Sequence, residues 1–244
     1  MKQEILTQLQ ADRAAKIPVV LGTFLESGEQ RLFYLYGKKG LKDIDPRIGE
    51  AARAAMLEDK PRTIDTEQGP LFLNVFNPPL RLILVGAVHI AQALVPMAQF
   101  TGYEVAVIDP RSAFGSEARF PGVWLSNDWP DEAMAQLKPD LRTAVVTLTH
   151  DPKVDDPALQ TALKSDVFYI GALGSKKTHA SRLERLTAAG FGPDDLARIH
   201  GPVGLSIGAK TPAEIAIAIL GQMTQALRQP APGSHSGATT SAAA

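Results

Sequence analysis

From residue 80 onward the chain alternates short apolar runs with amphipathic stretches, and few folds accept that order. Residues 80–85, 104–108, 143–148 and 167–170 read as strands, and 90–100 reads as a helix. An extended stretch at Val123-Trp-Leu125 and helices near 131–137 and 157–164 fill the intervals. Strands that are apolar on both faces must be covered on both faces, and parallel strands need crossover helices to connect them. The pattern therefore predicts an α/β fold, a Rossmann-like doubly wound parallel sheet over residues 78–228. The right-handed crossover rule removes most other topologies.

Asn77-Pro-Pro79 marks the change into this pattern. Before it, residues 3–16 read as an amphipathic helix carrying Ile5, Leu6, Leu9 and Ala14 on its apolar side. Strands at 19–25 and 31–36 flank a hairpin loop, Glu26-Ser-Gly-Glu29, and Asp45-Pro46 caps a helix running to about residue 57. Strands at 62–65 and 71–76 complete a small α+β N-terminal domain, residues 1–77. At the other end, Thr211, Pro212 and Glu214 read as the cap, first and third positions of a last helix. Its apolar stripe is Ile215, Ile219, Leu220 and Met223. The Pro, Gly, Ser and Ala-rich segment 229–244 cannot bury enough surface to order and is expected to be a disordered tail.

Composition narrows the partners. A net charge of −1 supplies no basic field for a nucleic-acid backbone. No apolar run reaches the roughly 18 residues that a bilayer span needs. The opening Met1-Lys-Gln-Glu-Ile-Leu-Thr-Gln-Leu-Gln10 lacks a signal core, so no nucleic acid, no membrane and a cytoplasmic location are expected. The chain has no cysteine, which removes disulfides, thiolate nucleophiles and zinc–sulfur sites. No two histidines have the i, i+4 spacing of a helical metal site, so no protein-held metal is expected.

Doubly wound sheets bind ligands beyond the carboxyl ends of their strands, where strand order reverses. The loops at that edge are Gly86-Ala-Val-His89, Asp109-Pro-Arg111, Thr149-His-Asp151 and Gly171-Ala-Leu-Gly-Ser-Lys-Lys177. They bring His89, His150, Asp109, Asp151, Arg111, Lys176 and Lys177 toward one crevice. In the last of them Gly171 and Gly174 permit close backbone approach, Ser175 can cap the next helix, and Lys176 and Lys177 add charge. That turn suits a phosphate-bearing molecule; it equally suits an ordinary strand–helix junction with two solvated lysines.

The first loop is an altered dinucleotide fingerprint. In G-x-G-x-x-G the second glycine admits the pyrophosphate, and here Val88 stands there while Ala91 takes the third place. Asp109, 23 residues after Gly86, has the spacing of the acid that binds an adenosine ribose. Two readings stay open: a nucleotide-type site with a displaced phosphate, or a scaffold that has lost dinucleotide binding. His89 and His150 serve either as ligand contacts or as local hydrogen-bonding groups, and Asp151-Pro152 can simply start a turn.

The second half resembles the XdhC/CoxI family, accessory factors that mature molybdenum hydroxylases such as xanthine dehydrogenase. The family's Gly-Ala-Gly-His appears as Gly86-Ala-Val-His89, its Asp-Pro-Arg as Asp109-Pro-Arg111 and its Thr-His-Asp as Thr149-His-Asp151. Its Tyr-Ile-Gly-x-x-Gly-Ser turn is 169–175, and its glycine-rich signature is Gly204-Leu-Ser-Ile-Gly-Ala-Lys-Thr-Pro-Ala-Glu-Ile-Ala216. The matches run in order over about 80–228. The N-terminal part resembles the family only loosely, and the family's Gly-Gly-Cys segment has no counterpart here.

The resemblance implies a molybdenum-cofactor (molybdopterin) chaperone that protects mature cofactor and delivers it to an apo molybdenum hydroxylase. On that view Ser175, Lys176, Lys177 and Arg111 hold the cofactor's phosphate, Asp109 accepts from ribose or pterin, and His89 and His150 bond groups near the metal. Cofactor sulfuration or synthesis enzymes and a homodimer are further partners it allows. Two other classes fit the fold: a NAD(P)-dependent oxidoreductase, with NAD or FAD not excluded, and a regulatory ligand-sensing protein.

Overall fold

The structure is a computed structural model that describes residues 2–34 and 44–229. The chain divides into two compact units, Met1–Pro78 and Pro79–Ala244.

The first unit comprises α1 (Gln3–Ala14), β1 (Val19–Phe24), β2 (Gln30–Phe33), α2 (Pro46–Glu58), β3 (Arg62–Thr66) and β4 (Gly69–Phe76). Its sheet is antiparallel in the order β2-β1-β4-β3. Period-two alternation puts Val20, Leu71 and Leu73 on one face, where Ile48, Ala52 and Met56 of α2 cover them. The α2 start is set by Asp45, whose carboxylate accepts from the Arg47 amide at 2.8 Å, with Pro46 behind it. Helix α1 differs from its sequence pattern: Leu6 is exposed, whereas Asp12 is buried and takes hydrogen bonds from Gln8 and Tyr34. Residues 35 and 36 of the expected second strand, and 230–244 of the expected tail, lie outside the described residues.

The second unit begins with β5 (Leu80–Val85), α3 (His89–Phe100), β6 (Tyr103–Ile108), β7 (Trp124–Ser126) and α4 (Pro130–Leu137). It continues with β8 (Thr143–Thr147), α5 (Pro152–Leu163), β9 (Tyr169–Ala172), α6 (Lys176–Ala188), α7 (Pro193–Leu196), β10 (Ile199–His200) and α8 (Pro212–Arg228). All six strands run parallel in the order β10-β9-β8-β5-β6-β7, the doubly wound order expected from the sequence pattern.

Both faces of the sheet are covered. Leu82, Leu84, Val105, Val107 and Val146 face one layer, with Leu94 of α3 and Ile219 and Met223 of α8. Ile83, Val85, Ile108 and Val145 face the other, with Met134 of α4, Leu159 of α5 and Leu186 of α6. The central strands carry no polar side chain along most of their length because neither face meets water. Helix α8 starts in a capping box: the Thr211 hydroxyl accepts from the Glu214 amide at 3.3 Å, and Glu214 accepts from the Thr211 amide at 2.9 Å.

Candidate functional site

From β5 the chain steps outward through β6 and β7, then returns to the other side of β5 and steps outward through β8, β9 and β10. The loops after β5 and β8 therefore diverge, and a cavity of about 510 Å³ opens between them. Its floor is apolar: Val88, Ile90, Leu148 and Leu173. The polar rim is His89, Arg111, His150 and Asp151, with Thr149 buried beneath it.

The first loop is held rigidly. Gly86 has φ of +112°, and a Cβ there would stand 2.7 Å from Cγ2 of Thr149, so only glycine fits both the backbone and the space. The Ala87 amide donates to Oδ2 of Asp109 at 2.8 Å, and the Ala87 carbonyl accepts from Nη1 of Arg119 at 2.8 Å. Arg119 also donates to Gln92 of α3 at 2.8 Å. Helix α3 then starts with Val88 as an extended N-cap that supplies no side-chain cap, which leaves leading amides and the positive helix end at the cavity.

Asp109, whose spacing suggests a ribose ligand, is engaged within the protein. It is 0% exposed, Oδ1 accepts from the Arg111 amide and Nε, and Oδ2 accepts from Ala87 and from Nη2 of Arg111. Burial pushes this carboxyl up, but the hydrogen bonds from Arg111 and Ala87 and the Arg111 charge outweigh it and hold the group below its ordinary value. Both carboxylate oxygens are occupied inside the protein. Arg111 is what it presents: a part-exposed guanidinium lying over the Phe114 ring at 4.4 Å and reaching the cavity rim.

The β8 loop leads into α5 at Pro152, five residues before the start expected at 157. Asp151 is the N-cap, accepting from the Lys153 amide at 2.9 Å, so it caps a helix as well as lining the rim. His150 is exposed beside it. Thr149 points inward to the buried Asp155, whose carboxyl is pushed up to about 6 by burial against the opposing Thr149 hydrogen bond and Arg182 charge.

The turn before α6 lies apart from the cavity lining, to which its loop contributes Leu173 but none of Gly174, Ser175, Lys176 or Lys177. Gly174 has φ of +151°, and Ser175 accepts from the Thr178 amide at 3.1 Å as helix cap. Lys176 and Lys177 are exposed. Sequence reading missed Phe114, Arg119, Asp155 and Arg182. Asp155 did leave a signal, because it stands on the same helical stripe as Ala158, Leu159 and Ala162. Among the described residues no three His, Asp or Glu side chains gather as a metal site, and no helix is long and apolar enough to cross a membrane.

Residues 82–223 match the model of the XdhC Rossmann domain. The chain belongs to this family. The XdhC-type chain is 32% identical over 148 residues to the molybdenum cofactor insertion chaperone PaoD of Escherichia coli K12, covering 61% of this chain and 40% of that protein. It is 31% identical over 179 residues to a protein of Bacillus subtilis 168 named as a probable xanthine dehydrogenase subunit, covering 70% of this chain and 52% of the relative. It thus spans about half the length, or less, of these curated relatives. A crystal structure described as a xanthine dehydrogenase from Bacillus halodurans superposes with a TM-score of 0.64 at 25% identity, over 93% of this chain and 65% of that one. The XdhC match covers the whole crevice, from β5 to α8.

Proposed function

We propose that this chain is a molybdenum-cofactor chaperone, which binds mature cofactor in the β5/β8 crevice and passes it to an apo molybdenum hydroxylase of the xanthine dehydrogenase type. The observation that carries this reading is the braced Arg111 at the rim of an apolar-floored cavity, in a chain similar to a relative named as a cofactor insertion chaperone. Arg111 and the start of α3 take the cofactor's phosphate, since both offer positive charge with donors already oriented. Val88, Leu148 and Leu173 pack against the flat pterin. His89 and His150, across the mouth, donate to oxygen or sulfur groups near the metal, while Gly86 and Asp151 keep their loops in place. Gly174, Ser175, Lys176 and Lys177 form a secondary electropositive rim for the outer part of the cargo. The role is binding and transfer, without a reaction catalysed by the chain, and its setting is cytoplasmic.

The test is to purify the full chain from cells that make the cofactor, oxidise the extract, and measure pterin fluorescence alongside molybdenum by mass spectrometry. Pterin and molybdenum together, transferable to an apo-hydroxylase with gain of its activity, is the expected result. Protein free of pterin from cells with active cofactor synthesis would overturn the reading.

A further inference from the structure

Behind the crevice, between α5 and α6, lies a polar cluster that the binding surface does not include. Arg182 is 1% exposed and Asp155 2%, although their neighbours Val154, Leu159 and Leu186 are apolar. Burying both charges costs more than an apolar pair of the same volume would, so stability alone does not account for them. Arg182 even keeps Nε and Nη1 buried without an acceptor, a further cost.

Their contacts run in a line across the back of the site. Nη2 of Arg182 donates to the Leu173 carbonyl at 2.8 Å and stands 3.6 Å from Oδ2 of Asp155. Oδ1 of Asp155 accepts from the Thr149 hydroxyl at 2.5 Å, and that hydroxyl accepts from the Asp151 amide at 3.2 Å. Leu173 belongs to the β9 loop, Thr149 and Asp151 to the β8 loop, and all three line the cavity. The helices are tied a second time, where Arg185 of α6 holds Asp156 of α5 through two separate hydrogen bonds of 2.6 and 3.0 Å.

We propose that Asp155 and Arg182 are positioning residues, whose buried pair sets the spacing of the β8 and β9 loops and thereby the width of the crevice. The proposal rests on the crevice being the binding site for its importance, but not for its test. Hydrogen exchange of the full apo chain reads the loops directly. Asp155→Ala and Arg182→Met speed exchange of the Asp151 and Leu173 amides about tenfold or more, with the amides inside α5 and α6 unchanged. Asp155→Asn keeps the volume and an oxygen for the Thr149 hydroxyl, so it restores Asp151 toward wild type and leaves Leu173 fast. In chains purified from cofactor-making cells, pterin content falls in the same order. Exchange that rises evenly through α5 and α6, or at neither loop, overturns the proposal. If the two-loop pattern appears while wild type carries no pterin, the positioning role stands and the cofactor reading fails.

Discussion

Asp109 grips Arg111 from one side, accepting from Nε and from Nη2 at 2.8 Å each. This geometry occupies the carboxylate and frees the opposite edge of the guanidinium, which lies over the Phe114 ring. A planar donor held in advance loses little freedom when it meets a phosphate.

Arg111→Ala is therefore expected to weaken cofactor retention by about 10- to 100-fold, the loss of a charge-assisted hydrogen bond worth roughly 1.5 to 3 kcal/mol. Arg111→Lys does not restore it, because a lysine cannot be held by Asp109 through two bonds. The double replacement of Lys176 and Lys177 by Ala, outside the cavity lining, changes retention by less than about threefold. Equilibrium dialysis of pterin-loaded protein ranks the variants. A larger effect from the lysine pair than from Arg111 would move the phosphate to the α6 turn.

Asp109→Asn removes the charge and turns donors toward Ala87 and Arg111, which are donors themselves. We expect a loss of about 1 to 3 kcal/mol in urea unfolding, since a buried acceptor becomes mismatched. The β5 loop should loosen with it, which spectra of Ala87 and Val88 amides would report. A variant as stable as wild type would remove Asp109 from the role of brace.

Much of this arrangement is legible in the chain, and the rest is not for identifiable reasons. Leu82 and Leu84 alternate with Ile83 and Val85 in a run short enough to be one strand, so a sheet buried on both faces follows from local pattern. The Gly86, Asp109 and Thr149 loops then fall at one edge by topology. Helix α5 was harder, because Asp151-Pro152 and Asp156-Pro157 offer the same cap and first-turn signal, and only the fold selects the first. The clamps made by Arg119 and Arg182 join residues with no common spacing or period. Arg119 meets Ala87 across 32 positions, a relation that exists only once β5 and β6 are paired. On α1 the apolar spacing pointed to Leu6 and Leu9, yet only Leu9 of these two is buried, and Asp12 is buried with it because hydrogen bonds from Gln8 and Tyr34 satisfy its carboxylate.

The buried pair has a pH signature with a definite sign. Asp155 titrates at about 6 in the folded chain against an ordinary value of 3.8, driven up by burial and the neighbouring Asp156 against the pull of Thr149 and Arg182. Its contribution to stability is full below 3.8 and is lost as pH rises through about 6. Asp155→Asn lacks this titration. The unfolding free energy of wild type minus that of the variant, from urea titrations, should decline between pH 4 and 7 by an amount on the order of 3 kcal/mol, and stay level above. A difference that is flat across the range would place Asp155 in a more polar setting than its surroundings indicate.

Val88 stands where a dinucleotide site has glycine, and the structure adds a second obstacle behind it. Even with Val88 removed, the acid that would hold a ribose is 0% exposed and already bonded on both oxygens. Val88→Gly is a clean probe, because the residue is an extended N-cap and glycine is preferred to valine at that position, so the variant should fold. Titration calorimetry with NAD should give no binding heat for wild type or for Val88→Gly, while both retain the cofactor through Arg111. Binding gained by Val88→Gly alone would mean that the valine is the whole barrier and that Asp109 can release Arg111 to take a ribose. Tight NAD binding by wild type would go further and favour the oxidoreductase class over the chaperone.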